Sequence, residues 1–217
     1  MILRRPDNAF CLYVLAHGAG AGMRHPLLEK LADAFAREGV ATLRYEFPYM
    51  EAGKRRIDPP AILHGRVREA VVAAAREALP LFAGGKSMGG RMTSQAQADA
   101  ALANVLGLAF VGFPLHPAGR PGIDRAAHLH RVAIPMLFLQ GTRDDLADLD
   151  LLRPIVDELP RATLHVVEGA DHSFRVLKRS GRTDREVLAE LAETFARWAQ
   201  RTIGDSSSRA SRSAGSR

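Results

Sequence analysis

The sequence predicts an α/β fold in which helices cover both faces of a mostly parallel sheet of about six or more strands. Short, nearly continuous apolar runs alternate along the chain with longer segments whose apolar residues recur at helical spacing. Apolar runs without polar alternation are typical of strands that are buried on both sides. Sheets of this kind carry their functional residues in the loops that follow the strands.

The predicted elements follow one another in a regular order. Pro26 and Gly39 mark the beginning and the end of the first helix, and Pro60 begins the second. The last helix begins at a capping residue, Thr183. We predict strands at 9–18, 40–48, 81–85, 105–115, 136–141 and 162–169, and helices at 25–39, 61–80, 90–103, 151–160 and 183–203.

Length and composition favour a single domain. A chain of 217 residues, of which 47% are hydrophobic, is long enough for one domain with a substantial core, which we assign to residues 1–203. Residues 204–217, "GDSSSRASRSAGSR", have almost no apolar side chains, and we expect them to form a disordered tail. The tail carries part of the net charge of +6 and the other basic residues are scattered, so no nucleic-acid partner is expected.

The sequence is typical of a cytoplasmic protein that does not enter a membrane. No apolar run approaches the ~20 residues that cross a bilayer. The apolar run near the N-terminus ends in His17 and Gly18 instead of a small-residue cleavage site, so we interpret it as a strand and not as a signal peptide. The chain has one cysteine, Cys11, which we interpret as a core residue. Because a single cysteine cannot form an intrachain disulfide, the sequence fits a reducing compartment.

Residues 84–90, "GGKSMGG", match two motifs with different chemistry. Gly-Lys-Ser ends a phosphate-binding P-loop, but the first glycine of that motif would fall at Pro80, and the segment between is a strand. The same residues contain G-x-S-x-G, the nucleophile elbow of α/β-hydrolases, which requires a strand before the serine and a helix after it. Both are predicted here. We therefore interpret Ser87 as a nucleophile and Lys86 as a side chain that points off the turn.

A second glycine-rich stretch, "AHGAGAG" at 16–22, also has two interpretations. It begins like a dinucleotide-binding fingerprint, but Met23 stands where the third glycine would be. The stretch matches instead the loop of α/β-hydrolases that donates one N–H group to the oxyanion hole, the other coming from the residue after the nucleophile. We predict the backbones of Ala19 and Met88 as these donors, and a structural role for His17.

A nucleophilic serine needs a base, and the base needs an acid that orients it. In this fold the chain order is Ser, Asp, His. The loop "QGTRDD" follows the fifth predicted strand and "EGADHSF" follows the sixth, which places Asp144 and His172 at the same sheet edge as Ser87. Asp145 is the nearest alternative acid. Asp171 adjoins the histidine in sequence, a poor position for reaching its far ring nitrogen.

The remaining histidines do not indicate a metal site. His64 is on a predicted helix, His165 is in a strand, and His128 and His130 lie in an irregular loop. None has the spacing of H-E-x-x-H, and the chain has no cysteine pair. We expect neither a metal nor another cofactor.

Taken together, the stretches "AHGAGAGMRHP", "GGKSMGGRM", "FPLHPAGRP", "MLFLQGTRD" and "DHSF" make the chain resemble a known family over most of residues 10–200. It resembles the small α/β-hydrolase-like family related to dienelactone hydrolases, which includes the testis-expressed and NSL-complex-subunit proteins of animals. The resemblance implies the α/β-hydrolase fold and a site of Ser87, Asp144 and His172. It implies no particular substrate, and since dienelactone hydrolases proper carry a cysteine nucleophile where this chain has serine, their lactone substrate is not carried over.

Two loops bear on the substrate. Residues 116–135 are too few for a large cap domain, so we predict an open site with His116 in one wall. The loop at 48–60 carries Arg55 between two other basic residues. This loop is either a basic rim that favours acyl substrates with a carboxylate or phosphate, or a solvated surface loop.

The predicted function is a serine hydrolase that acts on an ester, a thioester or a related small acyl substrate through an acyl-enzyme. Two alternatives remain open. The chain is either an interaction module that kept the fold with little catalysis, or an acyltransferase that uses the same residues. The sequence does not indicate the oligomeric state.

Overall fold

The computed structural model describes residues 1–214 of the chain. All the predicted strands and α-helices are present in the predicted order, together with one additional short strand and one additional short helix. They are β1 (Ile2–Arg4), β2 (Cys11–Ala16), α1 (Pro26–Arg37), β3 (Val40–Tyr45), α2 (Pro48–Glu51), α3 (Pro60–Ala74), β4 (Leu81–Lys86), α4 (Met88–Asp99), β5 (Val105–Val111), β6 (Met136–Arg143), α5 (Leu149–Asp157), β7 (Ala162–Asp171) and α6 (Asp184–Ala214).

The strands form one seven-stranded sheet in the order β1-β3-β2-β4-β5-β6-β7. Strands β2 to β7 pair in parallel, and only β1 is antiparallel to its neighbour. The predicted fold class is therefore confirmed. Strand β1 was not predicted, because it has three residues and two of them are exposed, which leaves no apolar run to find.

A hydrophobic core lies on each face of the sheet. Alternate residues of β2 enter different cores: Val14 packs with side chains of α3 and α4, and Tyr13 packs with side chains of α1 and α6. On the second face the rings of Tyr13 and Phe195 lie 4.8 Å apart, and Trp198 extends the aromatic cluster. Helices on both faces explain why the central strands are apolar throughout.

Cys11 belongs to the core on the α1 and α6 side and is completely buried. Burial raises the pKa of its thiol to about 12. A thiol in this environment is not a nucleophile. The interpretation of Cys11 as a core residue is confirmed.

The connection between β5 and β6 contains only two short 3₁₀ turns, Asp124–Ala126 and Leu129–Arg131. This is the connection for which the sequence predicts no large cap domain. The described chain has no such insert, which confirms the prediction that a large cap is absent.

The last helix continues beyond residue 203, where the sequence predicts the domain to end and a disordered tail to begin. Helix α6 extends to Ala214, and residues 215–217 lie outside the described part of the chain. The packed first part of α6 supplies the helix nucleus, so extending it costs little. The hydroxyls of Ser206, Ser207 and Ser208 donate to carbonyl groups four residues earlier. None of the helices within residues 1–214 is both long and apolar enough to span a bilayer.

Candidate active site

Ser87 occupies a strained turn between β4 and α4, with φ at 52°. Positive φ is costly for a residue with a side chain and persists only where the surroundings hold it. A Cβ atom at Gly85 would lie 2.5 Å from the carbonyl oxygen of Ala16. One at Gly89 would lie 2.6 Å from the carbonyl oxygen of His17. Both glycines of G-x-S-x-G are therefore needed to bring the turn against the end of β2.

The structure brings together Ser87, His172 and Asp144. Ser87 Oγ lies 2.9 Å from His172 Nε2. His172 Nδ1 lies 2.7 Å from Asp144 Oδ2. The aspartate side chain is completely buried, whereas the histidine side chain is 24% exposed. One imidazole ring thus links a hydroxyl at the surface of the site to a carboxylate beneath it.

Three donors hold the buried carboxylate of Asp144. In addition to His172, the Gln140 amide donates to Oδ2 at 2.5 Å and the Leu146 backbone N–H donates to Oδ1 at 2.8 Å. The Gln140 oxygen in turn accepts from the Phe113 backbone at 2.9 Å. Sequence reasoning missed Gln140, although a single amide at the end of the apolar run "MLFLQ" was a signal of a buried polar role.

The loop after β7 is shaped by Asp171. Its Oδ1 accepts the backbone N–H groups of Ser173 and Arg175 at 2.8 Å and 2.9 Å, which closes a tight turn around the histidine. Asp171 therefore orients the loop, and Asp144 is the carboxylate that contacts the His172 ring. Asp145, the alternative acid, is exposed.

Lys86 is part of the site, so the interpretation of its side chain as pointing off the turn was wrong. The residue is only 5% exposed, and its Nζ lies 3.0 Å from His172 Nε2. Burial lowers the pKa of the Lys86 ammonium to about 7, although the carboxylates of Asp144 and Asp171 act in the opposite direction. The ring of Phe174 faces Nζ, with its centroid 5.9 Å away.

Gly112, directly after β5, provides the space in which these groups meet. A Cβ atom there would lie 3.0 Å from Lys86 Nζ. The same atom would lie 3.4 Å from both Asp144 Oδ2 and His172 Nδ1. The φ of Gly112 is +70°, a conformation that also favours glycine.

The two predicted oxyanion donors belong to segments that lie next to Ser87. Met88 is the first residue of α4, where backbone N–H groups have no partner within the helix. Ala19 follows Gly18, and a Cβ atom at Gly18 would lie 3.6 Å from Ser87 Cβ. The structure therefore places both segments beside the serine, and their role as donors stays a prediction.

His17 fixes the loop that carries Ala19. The backbone N–H of Phe47 donates to His17 Nε2 at 3.1 Å, so Nδ1 carries the proton and donates to the Gly18 carbonyl at 2.7 Å. Burial lowers the pKa of His17, which favours this neutral form. His17 is a structural residue, as predicted.

The two predicted substrate-binding residues, His116 and Arg55, differ in their surroundings. Both ring nitrogens of His116 bond to backbone groups, Nδ1 to the Pro117 carbonyl and Nε2 to the Asp148 N–H. The ring thus joins two loops and has no nitrogen left for a ligand, although it lines a cavity of about 560 Å³ beside Asp144. Arg55 is exposed and has no ion pair within the described chain, so its role in binding stays a prediction.

A second serine–histidine contact lies elsewhere in the fold. Ser94 Oγ is 2.7 Å from His128 Nε2, and both residues are buried. Ser94 is inside α4, where its hydroxyl also bonds to the Arg91 carbonyl at 2.9 Å. Burial lowers the pKa of His128 to about 4. A completely buried hydroxyl without a strained turn has no access to a substrate, so this pair fits a packing role.

No group of three or more His, Cys, Asp or Glu side chains within the described residues is arranged to hold a metal ion.

The sheet order, the strained serine turn and the Ser–His–Asp contacts define the class of α/β hydrolases. Comparison with protein families agrees, since residues 10–200 match the model of an alpha/beta hydrolase domain family. The chain belongs to this family, which confirms the resemblance that the sequence motifs indicated.

Solved structures share the fold at low sequence identity. A dienelactone hydrolase from Anabaena variabilis matches with a TM-score of 0.68 and 20% identity, over 92% of this chain and 89% of that one. The esterase domain of a Rhodothermus marinus protein matches with a TM-score of 0.65 and 17% identity, over 92% and 91%. A serine hydrolase without a lid from Xanthomonas campestris matches with a TM-score of 0.66 and 20% identity, over 90% and 87%. At these identities the likeness establishes the fold alone.

Replacing Lys86 by methionine should stabilise the protein at neutral pH. Burial holds the pKa of Lys86 at about 7, below its ordinary 10.5, so the unfolded chain binds more protons between these values. The burial of Lys86 therefore lowers the free energy of unfolding by its full amount below pH 7, and this effect disappears as the pH rises towards 10.5. We expect Lys86→Met to raise the free energy of unfolding by roughly 1–4 kcal/mol near neutral pH. Urea denaturation of both proteins across this pH range measures it.

The exposed Lys178 provides the control for that comparison. Lys178→Met should change stability little at any pH. A stabilisation by Lys86→Met that is the same at both ends of the range would contradict the assignment of the buried charge.

Adding a methyl group at Gly112 should disturb the site beyond its effect on the backbone. Gly119 has a similar φ, +67°, with nothing within 4 Å of an added Cβ, so Gly119→Ala carries only the backbone cost. Gly112→Ala should slow the reaction of Ser87 with a fluorophosphonate on the order of 10²-fold, as displacements of about 1 Å do. Intact-mass spectrometry follows the labelling. Equal rates in the two variants would show that Gly112 has no special part in the site.

Proposed function

We propose that the protein is a serine hydrolase in which Ser87 is the nucleophile, His172 the general base and Asp144 the orienting acid. The observation that carries this proposal is the continuous path from Ser87 Oγ through the His172 ring to Asp144, with separations of 2.9 Å and 2.7 Å. The strained turn at Ser87 supports it, because such strain is found where it presents a reacting group.

In the proposed acyl-enzyme mechanism each of these residues has a task of its own. Ser87 Oγ attacks the carbonyl carbon of the substrate while its proton passes to His172 Nε2. Asp144 accepts the Nδ1 proton in a hydrogen bond and stabilises the imidazolium. The developing oxyanion accepts hydrogen bonds from the backbone N–H groups of Met88 and Ala19. His172 then protonates the leaving group, and a water molecule activated in the same way releases the acyl group.

The substrate class follows from the surroundings of Ser87. The serine is partly exposed and the β5–β6 connection contains no inserted domain, which favours small acyl substrates that reach an open site. The structural relatives that share this fold include an esterase domain and a dienelactone hydrolase, whose names point to ester and lactone carbonyls. We propose an ester, a thioester or a related small acyl compound as the substrate, with no cofactor.

Ser87→Ala should abolish both fluorophosphonate labelling and the turnover of short p-nitrophenyl esters. The matched control is Ser94→Ala, which removes the other serine hydroxyl that contacts a histidine. This control should keep both activities within about threefold, since the loss of a packing hydroxyl leaves the site in place. Intact mass and absorbance measure the two readouts. A folded wild type that neither labels nor turns over would contradict the proposal and favour an interaction module.

Asp144→Asn should lower kcat by roughly 10²–10⁴, because an amide in this position meets a donor whichever way it turns. If its NH₂ faces Leu146 it opposes a backbone N–H, and if it faces His172 it opposes Nδ1–H or forces the proton onto Nε2. Asp145→Asn is the control, since the exposed Asp145 makes no such contacts, and should leave kcat near that of the wild type. Equal losses in the two variants would remove Asp144 from the mechanism.

A further inference from the structure

Lys86 touches the reacting atoms, yet a Ser–His–Asp mechanism gives it no task. His172 Nε2 lies 3.0 Å from Lys86 Nζ and 2.9 Å from Ser87 Oγ. With Nδ1–H donated to Asp144, Nε2 has a single lone pair for these two neighbours. If the Lys86 ammonium donates a hydrogen bond to this lone pair, Nε2 cannot accept the proton of Ser87.

The charged groups that face Lys86 come from two elements. Asp144 approaches from the loop after β6, and Asp171 and His172 come from the end of β7 and the loop after it. The two carboxylates favour the ammonium, but the nearly complete burial of Lys86 outweighs them and brings its pKa to about 7.

The other elements around Lys86 bring no charge. The β5 side is formed by Gly112, the β2–α1 loop contributes Gly18, and α4 begins with residues 88–90, which are uncharged. Phe174 closes the remaining side with its ring. No further cation or anion among these contacts favours either the ammonium or the amine. Both protonation states of Lys86 are therefore accessible near neutral pH.

We propose that Lys86 is a catalytic residue that acts as the proton partner of His172, a role that rests on the proposed function of Ser87. As a neutral amine it accepts a hydrogen bond from Nε2–H and stabilises the imidazolium. As an ammonium it donates to Nε2, repels the imidazolium and prevents the transfer from Ser87.

The proton balance of the step is complete. The bond from Ser87 Oγ to the substrate carbon forms, the carbonyl electron pair moves to oxygen, and the Oγ proton goes to Nε2. The amine lone pair of Lys86 accepts the hydrogen bond from this proton without needing to bind it. When the bond to the leaving group breaks, the proton passes from Nε2 to the leaving oxygen or sulfur.

The test is the pH dependence of kcat/KM for a short p-nitrophenyl ester with wild type and Lys86→Met. In the wild type, activity needs the neutral amine of Lys86, so the protonation of Lys86 contributes to the acid limb of the profile. Lys86→Met removes this contribution. The acid limb should therefore move to lower pH by at least about half a unit.

The rates should change unequally at the two ends of the profile. At about pH 9 Lys86→Met should lower kcat/KM about tenfold, because it removes a hydrogen bond to the charged imidazolium. At about pH 6 the loss should be smaller, because the variant has no ammonium to block Nε2. A residue with a purely structural role would lower both rates equally, and an unmoved acid limb would overturn the proposal.

Two further variants separate charge from shape. Lys86→Arg keeps a permanent positive charge, so its activity should stay low without recovery at alkaline pH. Lys178→Met removes an exposed lysine and should leave the profile unchanged. Full activity of Lys86→Arg at alkaline pH would also overturn the proposal.

A measurement on the unmodified chain covers the case in which the Lys86 variants do not fold. The protein has four lysines, of which Lys30, Lys54 and Lys178 are exposed and serve as references for ¹³Cε NMR of labelled lysine. The Lys86 resonance should titrate over the same pH range as the acid limb of the wild type. A Lys86 that stays protonated through about pH 9 would overturn the proposal, because the amine would not exist where the enzyme works.

The outcomes also distinguish this proposal from the proposed function. A wild type whose turnover depends on Ser87, but whose acid limb is unaffected by Lys86→Met, would overturn the role of Lys86 alone. A wild type without labelling or turnover would overturn both.

Discussion

The arrangement of the site depends on the close contact between the turn at Ser87 and the end of β2. Gly85 and Gly89 lie so near the backbone of residues 16 and 17 that no side chain fits between them. This contact holds Ser87 at a positive φ and sets the direction in which α4 leaves the sheet. It also brings the loop with Ala19 beside the serine, so one steric constraint fixes the nucleophile and places both predicted oxyanion donors.

The sheet topology supplies the other half of the site. Strands β4, β6 and β7 run in parallel and end at the same edge, so residues separated by more than fifty positions in the chain meet there. Burying the carboxylate of Asp144 is costly unless its oxygens are satisfied. Gln140 and the Leu146 backbone satisfy them together with His172. The histidine is thereby held from below by a carboxylate that is itself held in place.

The sequence predicted those parts of the fold and site that depend on local pattern or chain order. The alternation of apolar runs and helices led to the parallel sheet, and the turn motif followed by Asp and His led to three residues that the structure brings together. The sequence did not predict contacts set by distant packing. Gln140 is recognisable only once the carboxylate beside it is placed. The extension of α6 depends on the packing of its first half and not on the composition of its last residues.

Lys86 illustrates this limit most clearly, because the residues Gly-Lys-Ser are compatible with two opposite electrostatic environments. In a P-loop the lysine faces phosphate oxygens and stays charged. Here the gap at Gly112 lets the same side chain turn inward, against a ring and a histidine, where burial outweighs two carboxylates. The inward position of the lysine therefore depends on a missing Cβ at the residue that follows β5, which no pattern around Ser87 contains. The chemistry of the Gly-Lys-Ser motif therefore depends on the surroundings that the fold gives to the lysine side chain.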